Sequence, residues 1–185
     1  SCEYEGTNYQ LITDCEFQDW QTSTTYYLAN DIDNLIGGGA TCLSTPSSKQ
    51  GIIINCLGRK ITANWVGVEL ASDDSTVENC VIEAGFDDTP GIGITAGDSA
   101  NRFTAKNNVI TANSFDVGEG QGIFASNDGS GSEILNNKIL EAGFGIIIQG
   151  SETVNTIIEG NDLCSYSKIF IGNTNDQSSE SGNNI

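Results

Sequence analysis

The sequence contains no histidine, and only 7 of its 185 residues are lysine or arginine, against 25 aspartate and glutamate, for a formal net charge of −18. Without histidine, and with no CxxC pair, the usual ligand sets for zinc are excluded. With so few cations, the phosphates of nucleic acids and of anionic membrane surfaces would be repelled, so neither is expected as a partner. No run of eighteen apolar residues occurs, and no basic amphipathic stretch, so neither membrane insertion nor a surface anchor is expected. None of the asparagines falls in an N-x-Ser/Thr sequon. The chain opens at Ser1 without methionine, as a mature N-terminus left by a removed secretion signal would. The acidic excess fits a solvated outer surface, cation binding or an extracellular setting.

What is present is a repeat. A short apolar phrase reads GVELA from Gly67, GIGIT from Gly91, GIFAS from Gly122, GIIIQ from Gly145 and KIFIG from Lys168, with returns 24, 31, 23 and 23 residues apart. Apolar residues at alternate positions, such as Val68 and Leu70 or Ile146 and Ile148, place these segments on strands with one buried face. A second phrase recurs out of phase: INCLGRKI from Ile54, VENCVI from Val77, AKNNVI from Ala105, ILNNKI from Ile134 and IEGNDL from Ile158. Each period therefore holds at least two strands, with no helical pattern between them. Such a chain winds as a solenoid whose successive coils hydrogen-bond about 4.8 Å apart. The pairs Asn107/Asn108 and Asn136/Asn137, with Asn79/Cys80 before and Asn161 after, fall at one place in successive coils and predict a stacked amide ladder at a tight turn.

The run NCLGRKI with Cys56, Gly58 and Ile61, followed by coils of the form V-x-N-x-x-I and G-I-x-I, resembles the right-handed parallel β-helix repeats of the pectate-lyase-like superfamily, especially its NosD-type members. The resemblance covers roughly residues 25–172. It implies an all-β, single-stranded right-handed β-solenoid of about five or six coils, or about 25 to 30 Å of rod. Residues 1–24 are expected as an N-terminal cap, 25–172 as the β-helix and 173–185 as a polar C-terminal tail. The same coil serves lyases, hydrolases, adhesins and surface proteins, so function must come from the site. The hydrolase signatures of the superfamily that need histidine are absent. A lyase base would have to be Arg59, Lys60, Arg102, Lys106, Lys138 or Lys168, and an acidic groove repels a polyuronate unless calcium intervenes.

Aspartate-rich loops at Asp73, Asp74, Asp87 and Asp88 are the calcium candidates, calcium being the one cofactor the sequence leaves open. Adjacent residues on a strand point to opposite faces, so neither dipeptide makes an acid/base pair by itself. Six cysteines point to an oxidising, secreted or cell-surface compartment. Local bridges Cys2 to Cys15 and Cys42 to Cys56 are expected. Cys80 and Cys164 then remain as buried thiols, unless Cys56 pairs with Cys80 in the adjacent coil or an end-coil cysteine bridges two molecules. The last coil, with Cys164, Phe170 and Ile171, and the terminal Ile185 beyond it, has no strong cap and is the expected assembly end. The expected function is a non-catalytic, self-associating structural protein whose partner is itself. The alternative is an enzyme or binding module for cell-surface polysaccharide, for which Trp20, Trp65, Tyr26 and Tyr27 offer ring faces.

Overall fold

The computed structural model describes residues 9–35, 41–86, 89–97, 100, 102–113, 119–126, 131–149, 155–164, 167–171 and 179–184. Among them every regular element is a strand, and the strands form three parallel sheets wound as a β-solenoid. The first sheet has eight strands: Tyr9–Ile12, Thr25–Leu28, Ile53–Asn55, Thr76–Glu78, Thr104–Lys106, Glu133–Leu135, Ile157–Glu159 and Ser179–Ser181. The second has six: Ile32–Asp33, Lys60–Ala63, Val81–Ala84, Val109–Ala112, Lys138–Glu141 and Asp162–Leu163. The third also has six: Thr41–Thr45, Val66–Leu70, Ile92–Ala96, Gln121–Ala125, Phe144–Ile148 and Ser167–Ile171.

Because each strand pairs in parallel with its counterpart one coil away, like side chains stack into columns along the rod. Inside the first sheet the column is Tyr26, Ile54, Val77, Ala105, Ile134 and Ile158. Inside the second it is Ile32, Ile61, Ile82, Ile110, Ile139 and Leu163, and inside the third Leu43, Val68, Ile94, Ile123 and Ile146. All are buried. Each such aliphatic side chain contributes about 1.5–3 kcal/mol by leaving water, so these columns drive the winding.

Two turns set the coil's cross-section. Between the first and second sheets the chain needs one residue in the left-handed region, and Asn79, Asn107 and Asn136 adopt it with φ of 55°, 56° and 53°, as do Gly160 and Gly182 at 68° and 62°. At the start of the inner strands of the third sheet, glycine is favoured for lack of space, whereas the end strands carry Cys42 and Lys168 at that register. A Cβ on Gly93 would meet Ile110 Cγ2 at 2.3 Å and the carbonyl of Gly122 at 2.7 Å, and Gly67 and Gly122 face the same crowding. This glycine column runs Gly67, Gly93, Gly122 and Gly145. The phrase read from Gly91 is therefore out of step by two residues: Ile94 pairs with Val68, and Ile92 lies beside Val66, half-buried on the outer side.

The winding also exceeds the expected bounds at both ends. Tyr9–Ile12, inside the segment expected as a cap, pairs in register with Thr25–Leu28. Ser179–Ser181, inside the expected tail, pairs with Ile157–Glu159. The tail sequence SESGNN repeats the strand, glycine and asparagine of IEGND, which is why it can form a further rung. Near the N-terminal end, Phe17 and Trp20 meet edge-on at 4.9 Å, and both rings lie against Tyr26.

Candidate functional site

The cysteines are placed by the coil period. Cys15 bonds Cys42 across 27 residues and Cys56 bonds Cys80 across 24. The expected pairs Cys2 to Cys15 and Cys42 to Cys56 are thus corrected: stacking brings residues one coil apart to Cα separations of 4.5 and 4.7 Å, whereas Cys42 and Cys56 lie on different faces, in the third sheet and just after a strand of the first. Cys2 lies outside the described residues. Cys164 is free and exposed.

The turn that follows the first sheet carries the predicted ladder. Cys80 donates its backbone N–H to Asn108 Oδ1 at 3.0 Å. Asn108 donates its backbone and side-chain N–H groups to Asn137 Oδ1 at 3.1 and 2.9 Å, and Asn137 does the same to Asn161 Oδ1 at 2.9 and 3.0 Å. Asn161 repeats the pattern on Asn183 Oδ1 at 2.9 and 3.0 Å. The second N–H of each amide reaches back to a strand carbonyl, those of Val77, Ala105, Ile134 and Ile158. Asn108, Asn137 and Asn161 are buried, and this reciprocity is what makes a buried amide tolerable. The Cys56–Cys80 disulfide occupies the place of the rung before Asn108. Asn183 was missed in the sequence, although the Gly-Asn pair of residues 182–183 matches that of residues 160–161.

The charged residues are distributed in pairs along the outer faces. Asp74 receives two hydrogen bonds from Arg102, from Nε at 2.6 Å and Nη2 at 2.9 Å, one coil away. These bonds hold the Asp74 carboxyl below the usual carboxylate range. A calcium ion at Asp74 would have to displace that guanidinium. Asp73 is half-buried in the same turn, and its carbonyl accepts the N–H of Gly51 at 2.9 Å. Asp87 and Asp88 lie outside the described residues. Among the described residues, no three His, Cys, Asp or Glu side chains gather as a metal site would require. Glu78 is shared between Asn55 Nδ2 at 2.6 Å and Lys106 Nζ at 2.8 Å, and Lys60 pairs with Glu83 at 3.3 Å. Three of the six basic residues weighed as lyase bases are therefore engaged by carboxylates. Lys138 stands on the second sheet and Lys106 on the first, so the two do not share a face.

Among the described residues, two features stand open to a partner. One is a cleft of about 420 Å3 lined by Tyr9, Gln10, Gln21, Thr22, Thr24 and Lys49. Its walls offer amides, hydroxyls, a phenol ring and one ammonium; Lys49 makes no ion pair with a described residue. The other is the C-terminal end of the rod. There Ser167–Ile171 is the outer strand of the third sheet, Phe170 is 51% exposed, Ile169 and Ile171 are only half-buried although their column is internal elsewhere, and Cys164 lies just before them. Ile185 is outside the described residues. Of the aromatic candidates, Trp20 and Tyr26 are buried, while Trp65 is 44% exposed at the corner between the second and third sheets.

A family model described as a right handed beta helix region matches residues 3–163. No curated protein and no solved structure matches the chain.

Proposed function

The chain belongs to the right-handed β-helix family, and from that premise we propose that it is a non-catalytic structural protein of the cell surface or extracellular space that associates with copies of itself. The observation that carries this reading is the last coil, where Ser167–Ile171 is the outer strand of the third sheet and Phe170 and the thiol of Cys164 are both exposed. An edge strand with free backbone groups and an apolar side chain is a template for another chain, and soluble monomers ordinarily blunt such edges. Two coil-to-coil disulfides fit an oxidising compartment. The paired use of Asp74, Glu78 and Glu83 along the rod supports a structural role for those carboxylates over acid/base work. Size-exclusion chromatography with light scattering, over a range of concentrations and with or without reductant, tests the reading. Species larger than 19.5 kDa that grow with concentration support it; a single monomeric mass under every condition rules it out.

The cleft at Tyr9, Gln10, Gln21, Thr22, Thr24 and Lys49 favours a second reading, carbohydrate binding. Amides and hydroxyls supply directional hydrogen bonds to sugar hydroxyls, and the Tyr9 ring supplies a stacking face. Calorimetric titration with cell-surface polysaccharides should show binding that Tyr9→Ala and Lys49→Ala each weaken. Absence of heat with every glycan, or binding untouched by both substitutions, removes this reading.

A further inference from the structure

The cleft lined by Tyr9 and Lys49 is assembled from successive coils. Tyr9 and Gln10 lie on the strand paired with Thr25–Leu28, Gln21, Thr22 and Thr24 come from the turn that leads into Thr25–Leu28, and Lys49 from the matching turn one coil later. Ser23 donates its backbone N–H to Gln50 O at 2.9 Å and Lys49 donates its own to Pro46 O at 3.1 Å, so the Lys49 turn is closed on itself and pinned to the turn before it. Thr24 is buried and donates its hydroxyl to Thr22 O at 3.2 Å. The Tyr9 ring stands 6.2 Å from that of Tyr27 and is still 46% exposed. In a chain of net charge −18, this cleft has the opposite sign to the average surface. None of its lining residues is acidic, and one is a half-buried lysine. Asp19 accepts a hydrogen bond from Gln21 Nε2 at 3.0 Å but does not itself line the cleft. Lys60, Arg102 and Lys106 are each neutralised by a carboxylate one coil away, whereas Lys49 makes no ion pair with a described residue.

We infer that Lys49 makes this cleft selective for a sugar carrying a single sulfate ester; this selectivity rests on the carbohydrate reading of the same cleft. A neutral sugar leaves the half-buried ammonium without an anionic partner. Lysine is a compact charge with three donors and suits a tetrahedral oxyanion, whereas a planar carboxylate is matched by the fork of an arginine, and no arginine lines the cleft. A phosphate ester brings about −1.5 to −2 charges to one lysine, and the acidic chain around the cleft repels the excess. A sulfate ester brings one charge, which Lys49 balances. The amides of Gln10 and Gln21 and the hydroxyl of Thr22 are neutral donors for the remaining oxygens and for the sugar hydroxyls, and the Tyr9 ring offers its face to the sugar.

Glucose monosulfate, glucuronate and glucose, titrated separately into the isotope-labelled full chain, isolate the substituent on one ring. The monosulfate should shift the amide resonances of Tyr9, Gln10, Gln21, Thr22, Thr24 and Lys49, and should bind about tenfold more tightly than glucose, the worth of one charge-assisted hydrogen bond. Glucuronate should fall between the two. In Lys49→Gln the monosulfate and glucose should bind alike, with the resonances of the inner coils reporting that the variant is folded. Equal binding of the monosulfate and glucose to the wild type overturns the selectivity and leaves the carbohydrate reading standing, as does a preference for glucuronate or a sulfate preference that survives Lys49→Gln. No shift in the cleft with any of the three sugars also overturns the selectivity, and the carbohydrate reading then stands or falls on the polysaccharide titration alone.

Discussion

Asn137 sits directly over Asn108, 29 residues away in sequence, and its Oδ1 accepts both the backbone N–H and a side-chain N–H of Asn108, at 3.1 and 2.9 Å. Four hydrogen bonds pass through the Asn137 side chain in a buried turn: two accepted from Asn108, one donated to Asn161 and one to the carbonyl of Ala105. Asn137→Ala removes all four and strands buried donors on one side and acceptors on the other. At about 1–3 kcal/mol per buried group left unpaired, with partial relaxation by water, a loss of roughly 2–4 kcal/mol is expected. Urea unfolding checks it, and Asn183→Ala at the open end should cost well under half as much.

Steric pressure rather than hydrogen bonding governs the glycine column. Gly93→Ala places a methyl 2.3 Å from Ile110 Cγ2 and 2.7 Å from the Gly122 carbonyl, and backbone cannot yield as a flexible side chain can. Overpacking of this kind costs about 1–3 kcal/mol. Gly97→Ala, where no atom lies within 4 Å of the added carbon, is the control and should leave the melting temperature nearly unchanged.

Peptide mapping by mass spectrometry without reduction should recover Cys15 linked to Cys42 and Cys56 linked to Cys80. Each closes a loop of about one coil, and the loss of one by paired serine substitution should destabilise the rod by about 2–4 kcal/mol. The Cys56 and Cys80 pair should be the costlier, because its loss also loosens the support of Asn108.

Alkaline pH tests the aromatic cluster at the N-terminal end. Burial raises the Tyr26 hydroxyl above its ordinary pKa of 10.0, and its oxygen donates to the carbonyl of Asp19 at 3.2 Å while accepting the N–H of Gln21. The folded state therefore holds this proton more tightly than the unfolded chain. Its stabilising contribution is complete below about pH 10 and is lost as pH rises through the raised folded value. Thermal melts should fall above about pH 10, and Tyr26→Phe should flatten that fall. At the acid end the sign reverses for Asp74, whose lowered pKa stabilises the fold above about pH 4 and ceases to do so as pH falls through the folded value. The pair is half-exposed, so salt should screen it and Arg102→Ala should move the melting temperature little.

The sequence carried the winding because a solenoid writes its period into the chain. Isoleucine alternation and the Asn107/Asn108 and Asn136/Asn137 pairs survive as columns in the fold. The Cys2 to Cys15 and Cys42 to Cys56 pairs fail because they join sequence neighbours, whereas the alternative of Cys56 with Cys80 in the adjacent coil is the one the fold uses. In a coil the neighbour lies one period away, and the separations of 27 and 24 residues carried that signal. The end coils were misjudged for a related reason. Ser179–Ser181 has no apolar residue to mark it as a strand; its place comes from the ladder and the backbone of the coil beneath. The Asp74–Arg102 pair and the Lys49 cleft were illegible because they join positions in turns whose stacking depends on register, and register was known only to within a few residues.

Self-association is the central claim, and it is most directly tested by negative-stain electron microscopy of the wild-type chain beside Phe170→Asp. The account expects ordered multimeric particles for the wild type and single short rods for the variant, whose added charge sits on the exposed edge at Phe170. Isolated rods in both samples, at every concentration and in both redox states, would contradict it.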